Sequence, residues 1–161
     1  MISPALLAEA SALLGACRGR GWRVATAESC TGGLIAATLT AIAGSSDVVD
    51  RGFVAYSNES KVELLGVPSA LLAEHGAVSE PVARAMAQGA LARSRAAIAI
   101  SVTGLAGPGG SSADKPIGLV WFGLARRDSE QHSEKVIFPG DRAAVREAAV
   151  AHAFALIRRL V

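Results

Sequence analysis

Serine, paired glycines and a scarce lysine recur where the pattern of this chain turns from strand to helix. The first such point is Ala27-Glu28-Ser29-Cys30-Thr31-Gly32-Gly33. The short run from Trp22 to Ala27 reads as a strand, and Ile35, Leu39 and Ile42 fall on one face of a helix. A hydroxyl at such a junction lies beside free backbone N–H groups at the positive end of a helix, and two glycines let a ligand come close. A serine nucleophile with backbone donors for a developing oxyanion would use this arrangement. Ser29 or Thr31 as a plain N-cap before a tight turn uses it too, and on spacing alone the cap is the simpler account.

The second point is Tyr56-Ser57-Asn58-Glu59-Ser60-Lys61. The chain has sixteen basic residues, yet only Lys61, Lys115 and Lys135 are lysines. An arginine-biased chain is expected to keep lysine where charge alone does not suffice. Lys61 falls in the first turn of a short helix, where the dipole disfavours an ammonium. Neither segment contains a histidine, and a deprotonatable amine is what a serine nucleophile then needs; arginine cannot serve. Tyr56 could relay a proton or hold the lysine. Taken singly, these residues read more simply as a solvated surface lysine and a strand-end tyrosine. Cys30 could itself be a nucleophile at a helix start, but it ranks below Ser29 and is expected to be a small buried side chain.

The third segment, Ser101-Val102-Thr103-Gly104-Leu105-Ala106-Gly107-Pro108-Gly109-Gly110, follows a near-continuous apolar run. Successive glycine N–H groups make a nest for an anion such as phosphate, without the GxxxxGK[ST] pattern of a P-loop. A flexible connection fits the same residues. Phe138-Pro139-Gly140-Asp141-Arg142 is a capped helix start, with Arg142 placed to bind phosphate or simply to face solvent. Cys17 and His152 lie on apolar helical stripes and are expected in the core.

These segments need a scaffold that brings them to one edge. Ser3-Pro4 opens a helix that Gly19 and Gly21 close. Gly52 to Tyr56 reads as a second strand, and Asn58 as the cap of a helix carrying Val62 and Leu65. A brief helix near Leu71 precedes a stronger one from Ser79-Glu80-Pro81 to about Ala92. Ala96 to Val102 reads as a strand buried on both faces. Ile117 to Ala125 and His132 to Phe138 read as an antiparallel pair, before a last helix from Gly140-Asp141. Helices alternating with the first three strands, then a hairpin, give an α/β three-layer sandwich with an antiparallel edge.

The chain is 161 residues long, the size of one domain spanning 1–161. Apolar residues make up 51%, which excludes a disordered chain, although thirty-three of them are alanines and aromatics reach only 4%. Thin, closely packed helices are therefore expected. Net charge is +2, with no long basic run and no aromatic interleaving, so neither a nucleic-acid partner nor a membrane surface is indicated. No membrane span, no leader and no local metal motif among two cysteines and three histidines are apparent. A cytoplasmic protein without a metal is expected.

Together the segments AESCTGG at 27–33, GSS at 44–46, RGFVAYSNESK at 51–61, HGAVSEPVA at 75–83, VTGLAGPGG at 102–110, KPIGLVWF at 115–122 and FPGDR at 138–142 resemble the CinA C-terminal domain family. The resemblance covers nearly the whole chain. It implies a three-layer α/β/α fold with a mixed five-stranded sheet of order 2-1-3-4-5, strand four antiparallel. It also implies the activity of the family's stand-alone members, hydrolysis of the carboxamide of nicotinamide mononucleotide to the acid mononucleotide and ammonia. Carried over by position, Ser29 is the nucleophile and Lys61, assisted by Tyr56, its general base. N–H groups around Thr31, Gly32 and Gly33 are the expected oxyanion donors, from the geometry of a helix start. The substrate phosphate is expected on the loop of Thr103, Gly104 and Gly107, on Arg142, or on both. No cofactor is implied, the partner is the small mononucleotide, and a homo-oligomer is admitted by analogy alone. An amidase for another small amide, or a silent binding module, remains the alternative.

Overall fold

Every apolar segment read as a strand pairs with a neighbour in the computed structural model, which describes Met1–Val161. Ser3 accepts from the Leu6 N–H to start α1 (Pro4–Arg20), and Gly21 ends it in the left-handed region. Then follow β1 (Val24–Glu28), α2 (Leu34–Thr40), a 3-10 turn at Ser45–Asp47, β2 (Val49–Val54), α3 (Asn58–Leu65), α4 (Ser69–His75) and α5 (Glu80–Ala92). The chain closes with β3 (Ile98–Gly104), β4 (Leu119–Arg126), β5 (His132–Ile137) and α6 (Arg142–Arg158).

The sheet has the order β2-β1-β3-β4-β5. β1 is parallel to both β2 and β3, whereas β4 runs antiparallel to β3 and to β5. The expected order and the antiparallel fourth strand are both present. All five residues of β1 and the first six of β3 are buried, as central strands covered on both faces must be. The connection from β1 runs one way to β2 and the next crosses back to β3. The two strands therefore leave a crevice between their C-terminal ends.

Two apolar layers cover the faces. On one, Leu13 and Leu14 of α1, Ile35 and Leu39 of α2 and Phe154 and Ile157 of α6 pack on Ile98, Ile100 and Phe122. On the other, Val82, Met86 and Ala90 of α5 and Leu65 of α3 pack on Ala25, Ala27 and Ala99. That second layer is alanine-rich and correspondingly thin. Ser101 Oγ donates to the Ala83 carbonyl at 2.6 Å and accepts from the Gly123 N–H at 3.1 Å, tying α5 to the sheet. A Cβ on Gly89 would stand 1.9 Å from the Leu65 carbonyl oxygen, so α5 and α3 approach at a point only glycine permits. No helix is long and apolar enough to cross a membrane.

Boundaries moved in two places that matter for the site. β2 covers Val49–Val54 rather than reaching Tyr56, although the Ala55 N–H still donates to the Glu28 carbonyl of β1 at 2.9 Å. The cap of α3 is Ser57, whose side chain accepts from the Ser60 N–H at 3.0 Å, and Asn58 is the first helical residue. With that phase Val62 turns outward, and Lys61 joins Leu65 on the buried face.

Candidate active site

The turn after β1 is held from two sides. Glu28, the last residue of the strand, is buried, and its carboxylate accepts three main-chain N–H groups: Gly33 at 3.1 Å, Ile35 at 3.0 Å and Ala36 at 2.9 Å. It caps α2 from below, where the residue at the cap position, Gly33, has no side chain to offer. Gly32 and Gly33 have φ of 58° and 96°, values that side chains with a Cβ rarely adopt, and so the chain reverses here. From the other side, Arg146 of α6 donates to the carbonyls of Cys30 at 3.2 Å and Thr31 at 2.9 Å. Sequence reasoning missed both clamps. A lone acid ending an otherwise uncharged buried strand was the available signal for Glu28; nothing local marks Arg146.

Lys61 reaches this turn from α3. Its Nζ is 3.0 Å from Ser29 Oγ, 2.9 Å from the Ala55 carbonyl and 3.1 Å from the Tyr56 carbonyl. The side chain is 1% exposed and has no carboxylate partner. Burial of the ammonium lowers its pKa below the ordinary 10.5; only an ionised Cys30 beside it would act the other way. The expected direction holds, but its main cause is dehydration rather than the helix dipole. A neutral amine has two N–H groups and one lone pair. The Ser57 carbonyl is also near, at 3.5 Å; in the neutral amine, N–H groups on the Ala55 and Tyr56 carbonyls would leave the lone pair for the Ser29 hydroxyl.

Tyr56 holds the lysine through its main chain, not its phenol. The ring is 58% exposed, and its hydroxyl accepts from Arg142 Nη2 at 3.0 Å. Arg142 also donates through Nη1 to the Gly107 carbonyl at 2.9 Å, bridging the glycine loop to Tyr56. Ser29, Cys30, Tyr56, Lys61, Thr103 and Arg142 share the wall of a pocket of about 210 Å³, with Gly104 and Ala106 beside them. Thus every predicted segment reaches the pocket, but not every predicted residue: Thr31, Gly32, Gly33 and Gly107 lie outside this wall.

Two of the expected oxyanion donors are already engaged. The Gly33 N–H goes to Glu28 and the Gly32 N–H to the Ser29 carbonyl at 3.0 Å. The N–H groups of Cys30 and Thr31 donate to no protein oxygen. Thr103 Oγ1 donates to the Ala77 carbonyl at 2.9 Å, so this hydroxyl anchors the wall of the pocket. In the glycine loop the N–H groups of Gly107, Gly109 and Gly110 have no main-chain acceptor, as an anion nest requires. The Cys30 thiol is buried, and dehydration pushes its pKa up to about 12, which leaves little thiolate near neutral pH. Cys17 is buried on α1, and His152 packs on Phe122 and Phe138 while bonding Glu134 at 3.1 Å.

The sequence profile of the CinA C-terminal domain matches residues 7–161. The chain belongs to this family. Among family relatives, the nicotinamide-nucleotide amidohydrolase PncC of Enterobacter agglomerans is 55% identical over 141 residues, covering 87% of this chain and 86% of that protein. The Escherichia coli K12 protein of the same description is 53% identical over 138 residues, 86% of this chain and 84% of its own length. Relatives named putative competence-damage inducible protein, such as that of Symbiobacterium thermophilum, are longer; the chain spans about a third of their length (35% at 53% identity, with 87% of this chain covered). The crystal structure of the competence/damage inducible protein CihA from Agrobacterium tumefaciens superposes with a TM-score of 0.96 at 45% identity, covering 99% of this chain and 98% of that one.

Proposed function

We propose that this CinA-family protein hydrolyses the carboxamide of nicotinamide mononucleotide, giving the acid mononucleotide and ammonia. The observation that carries the chemistry is the 3.0 Å contact between Ser29 Oγ and a buried Lys61 amine that has carbonyl partners but no carboxylate. The substrate is supported by the relatives described as nicotinamide-nucleotide amidohydrolases, which align over most of both chains.

Neutral Lys61 takes the Ser29 proton as Oγ bonds to the amide carbon. The carbonyl oxygen becomes an oxyanion, received by the N–H groups that no protein oxygen occupies, Cys30 from the pocket wall and Thr31 from the adjoining position of the turn; Gly32 and Gly33 have no N–H left to give. The Lys61 ammonium then returns its proton to the departing nitrogen. The C–N bond breaks, ammonia leaves, and an ester to Ser29 remains. Water adds to that ester with Lys61 again accepting a proton, and the acid is released as Oγ recovers its hydrogen. Arg142 and the glycine loop take the phosphate, and the Tyr56 phenol, hydrogen-bonded to Arg142, lines the mouth of the pocket.

Ammonia release by the purified protein, measured on the mononucleotide, the riboside and free nicotinamide, tests the assignment. The mononucleotide is expected to be hydrolysed far faster than the other two, and Ser29→Ala is expected to bind it without turning it over. A wild-type protein that binds the mononucleotide and releases no ammonia would instead be a binding module.

A further inference from the structure

Arg146 touches neither the pocket nor any carboxylate. It stands one helical turn after Arg142 on α6, so the two arginines share a face. Arg142 reaches the mouth of the pocket, whereas Arg146 reaches the back of the nucleophile turn. Its guanidinium is engaged with two consecutive main-chain carbonyls, those of Cys30 and Thr31. Such charge-assisted bonds are about twice as strong as neutral ones, and here both act on a turn of three residues.

The direction of those bonds matters. Both peptide units are trans, since the single cis bond of the chain is Gly107-Pro108. In a trans peptide the C=O and the following N–H point in opposite directions. Drawing the Cys30 carbonyl toward α6 turns the Thr31 N–H away from α6. Drawing the Thr31 carbonyl the same way turns the Gly32 N–H away, where it meets the Ser29 carbonyl. That second bond fixes the Ser29–Cys30 peptide in turn, and with it the Cys30 N–H. The two donors without an oxygen acceptor are therefore the two whose peptide planes Arg146 sets, directly or through one hydrogen bond.

We infer that Arg146 is a positioning residue for amide hydrolysis: it orients the Cys30 and Thr31 N–H groups that receive the oxyanion. The inference rests on Ser29 being the nucleophile of the proposed reaction. Fixing donors before the reaction is where such sites gain most of their effect, and loss of one oxyanion donor costs about 10² to 10³ in rate. Lys61 is untouched by Arg146, so the protonation of the base is not part of its role.

The test compares Arg146→Met and Arg146→Lys with Arg158→Met, an exposed arginine further along α6 that pairs with Glu9. For Arg146→Met, kcat for ammonia release is expected to fall about 100-fold, with KM nearly unchanged and the acid limb of the kcat–pH profile in place. Arg146→Lys, able to hold one carbonyl, is expected to lie between, and it decides the matter if the methionine variant melts too low to assay. Arg158→Met is expected to behave as wild type. Without substrate, 15N relaxation of the Thr31 and Gly32 amides is expected to show rigid backbone in wild type and loosened backbone in Arg146→Met. A folded Arg146→Met with wild-type kcat overturns the inference, as does a loss of rate with unchanged amide rigidity or with a shifted acid limb. If the wild type releases no ammonia, the reaction assignment fails separately; the amide dynamics then decide the clamp, and unchanged rigidity overturns it.

Discussion

Adding one methyl group at Gly89, far from any reacting atom, should disable the site. The Cβ of Gly89→Ala would lie 1.9 Å from the Leu65 oxygen, 2.8 Å from its carbonyl carbon and 3.1 Å from its Cα. Real Cβ contacts essentially never fall under 3.0 Å, so the α3 backbone at Leu65 has to retreat by roughly 1.1 Å. Leu65 lies one turn beyond Lys61 on the same buried face, and a rigid helix carries that shift to the amine. The 3.0 Å contact to Ser29 then stretches to about 4 Å, beyond hydrogen-bond reach. Misplacement of a catalytic group by about 1 Å costs on the order of 10² in rate. Stability should suffer less: overpacking costs about 1–3 kcal/mol, and alanine returns about 1 kcal/mol of helix propensity. Net losses of up to about 2 kcal/mol lower Tm by several degrees in a chain of this size. Steady-state ammonia release at 25 °C, alongside thermal melts, reads both quantities. A folded Gly89→Ala with kcat within threefold of wild type would falsify the claim that α3 sets the serine–lysine distance.

Lys61→Arg keeps charge and length but cannot accept a proton, so it should turn over at least ~100-fold more slowly while still binding substrate; retention of most activity would exclude lysine as the base. For wild type, kcat should fall as pH drops through the lowered Lys61 pKa, on the acid side of 10.5. Because that pKa is lower in the folded state, the unfolded chain holds the proton more tightly between the two values. Stability should therefore rise with pH across that window, and Lys61→Met should flatten the rise in a pH series of denaturant melts. Cys30→Ala should keep most of the rate, and thiol reagents near neutral pH should label neither buried cysteine in the folded protein; inactivation on labelling would restore Cys30 as a candidate nucleophile. Arg142→Ala should raise KM for the mononucleotide much more than it lowers kcat, and change little with the riboside; equal losses on both would assign Arg142 to holding Tyr56 and Gly107 in place.

What could be read from the sequence follows the range of the forces involved. The third strand, read at 96–102 and found at 98–104, was visible because burial on both faces demands a continuous apolar run, and the start of α1 was visible because Ser3-Pro4 is a local signal. The strand order came from family resemblance and not from periodicity. Ser29 and Lys61 were found through residue type, as a hydroxyl at a strand end and a lysine among arginines. Their contact spans 32 residues of chain, and no local pattern encodes it. The phase of α3 was misjudged for a related reason. Hydrophobicity nominates Val62 for the inward face, but the inward position goes to Lys61, whose amine finds three main-chain carbonyls. Arg146 acts across 115 residues on carbonyl groups that every residue possesses, and so the sequence carries no complementary partner to reveal it.

The lack of a carboxylate beside Lys61 has a consequence for how the site responds to its solution. Mobile ions weaken attraction between charges, acting over a Debye length of about 8 Å at physiological ionic strength, but they do not rehydrate a group shut away from solvent. An amine tuned mainly by a counter-ion would drift toward its ordinary pKa as salt is added. Lys61 is tuned by exclusion of water, and its neighbour Cys30 is an uncharged thiol at neutral pH. The acid limb of catalysis should therefore stay in place from dilute buffer to concentrated salt, while capture of a phosphate by exposed Arg142 weakens over the same range. Ionic strength thus separates the reacting end of the pocket from the recognising end.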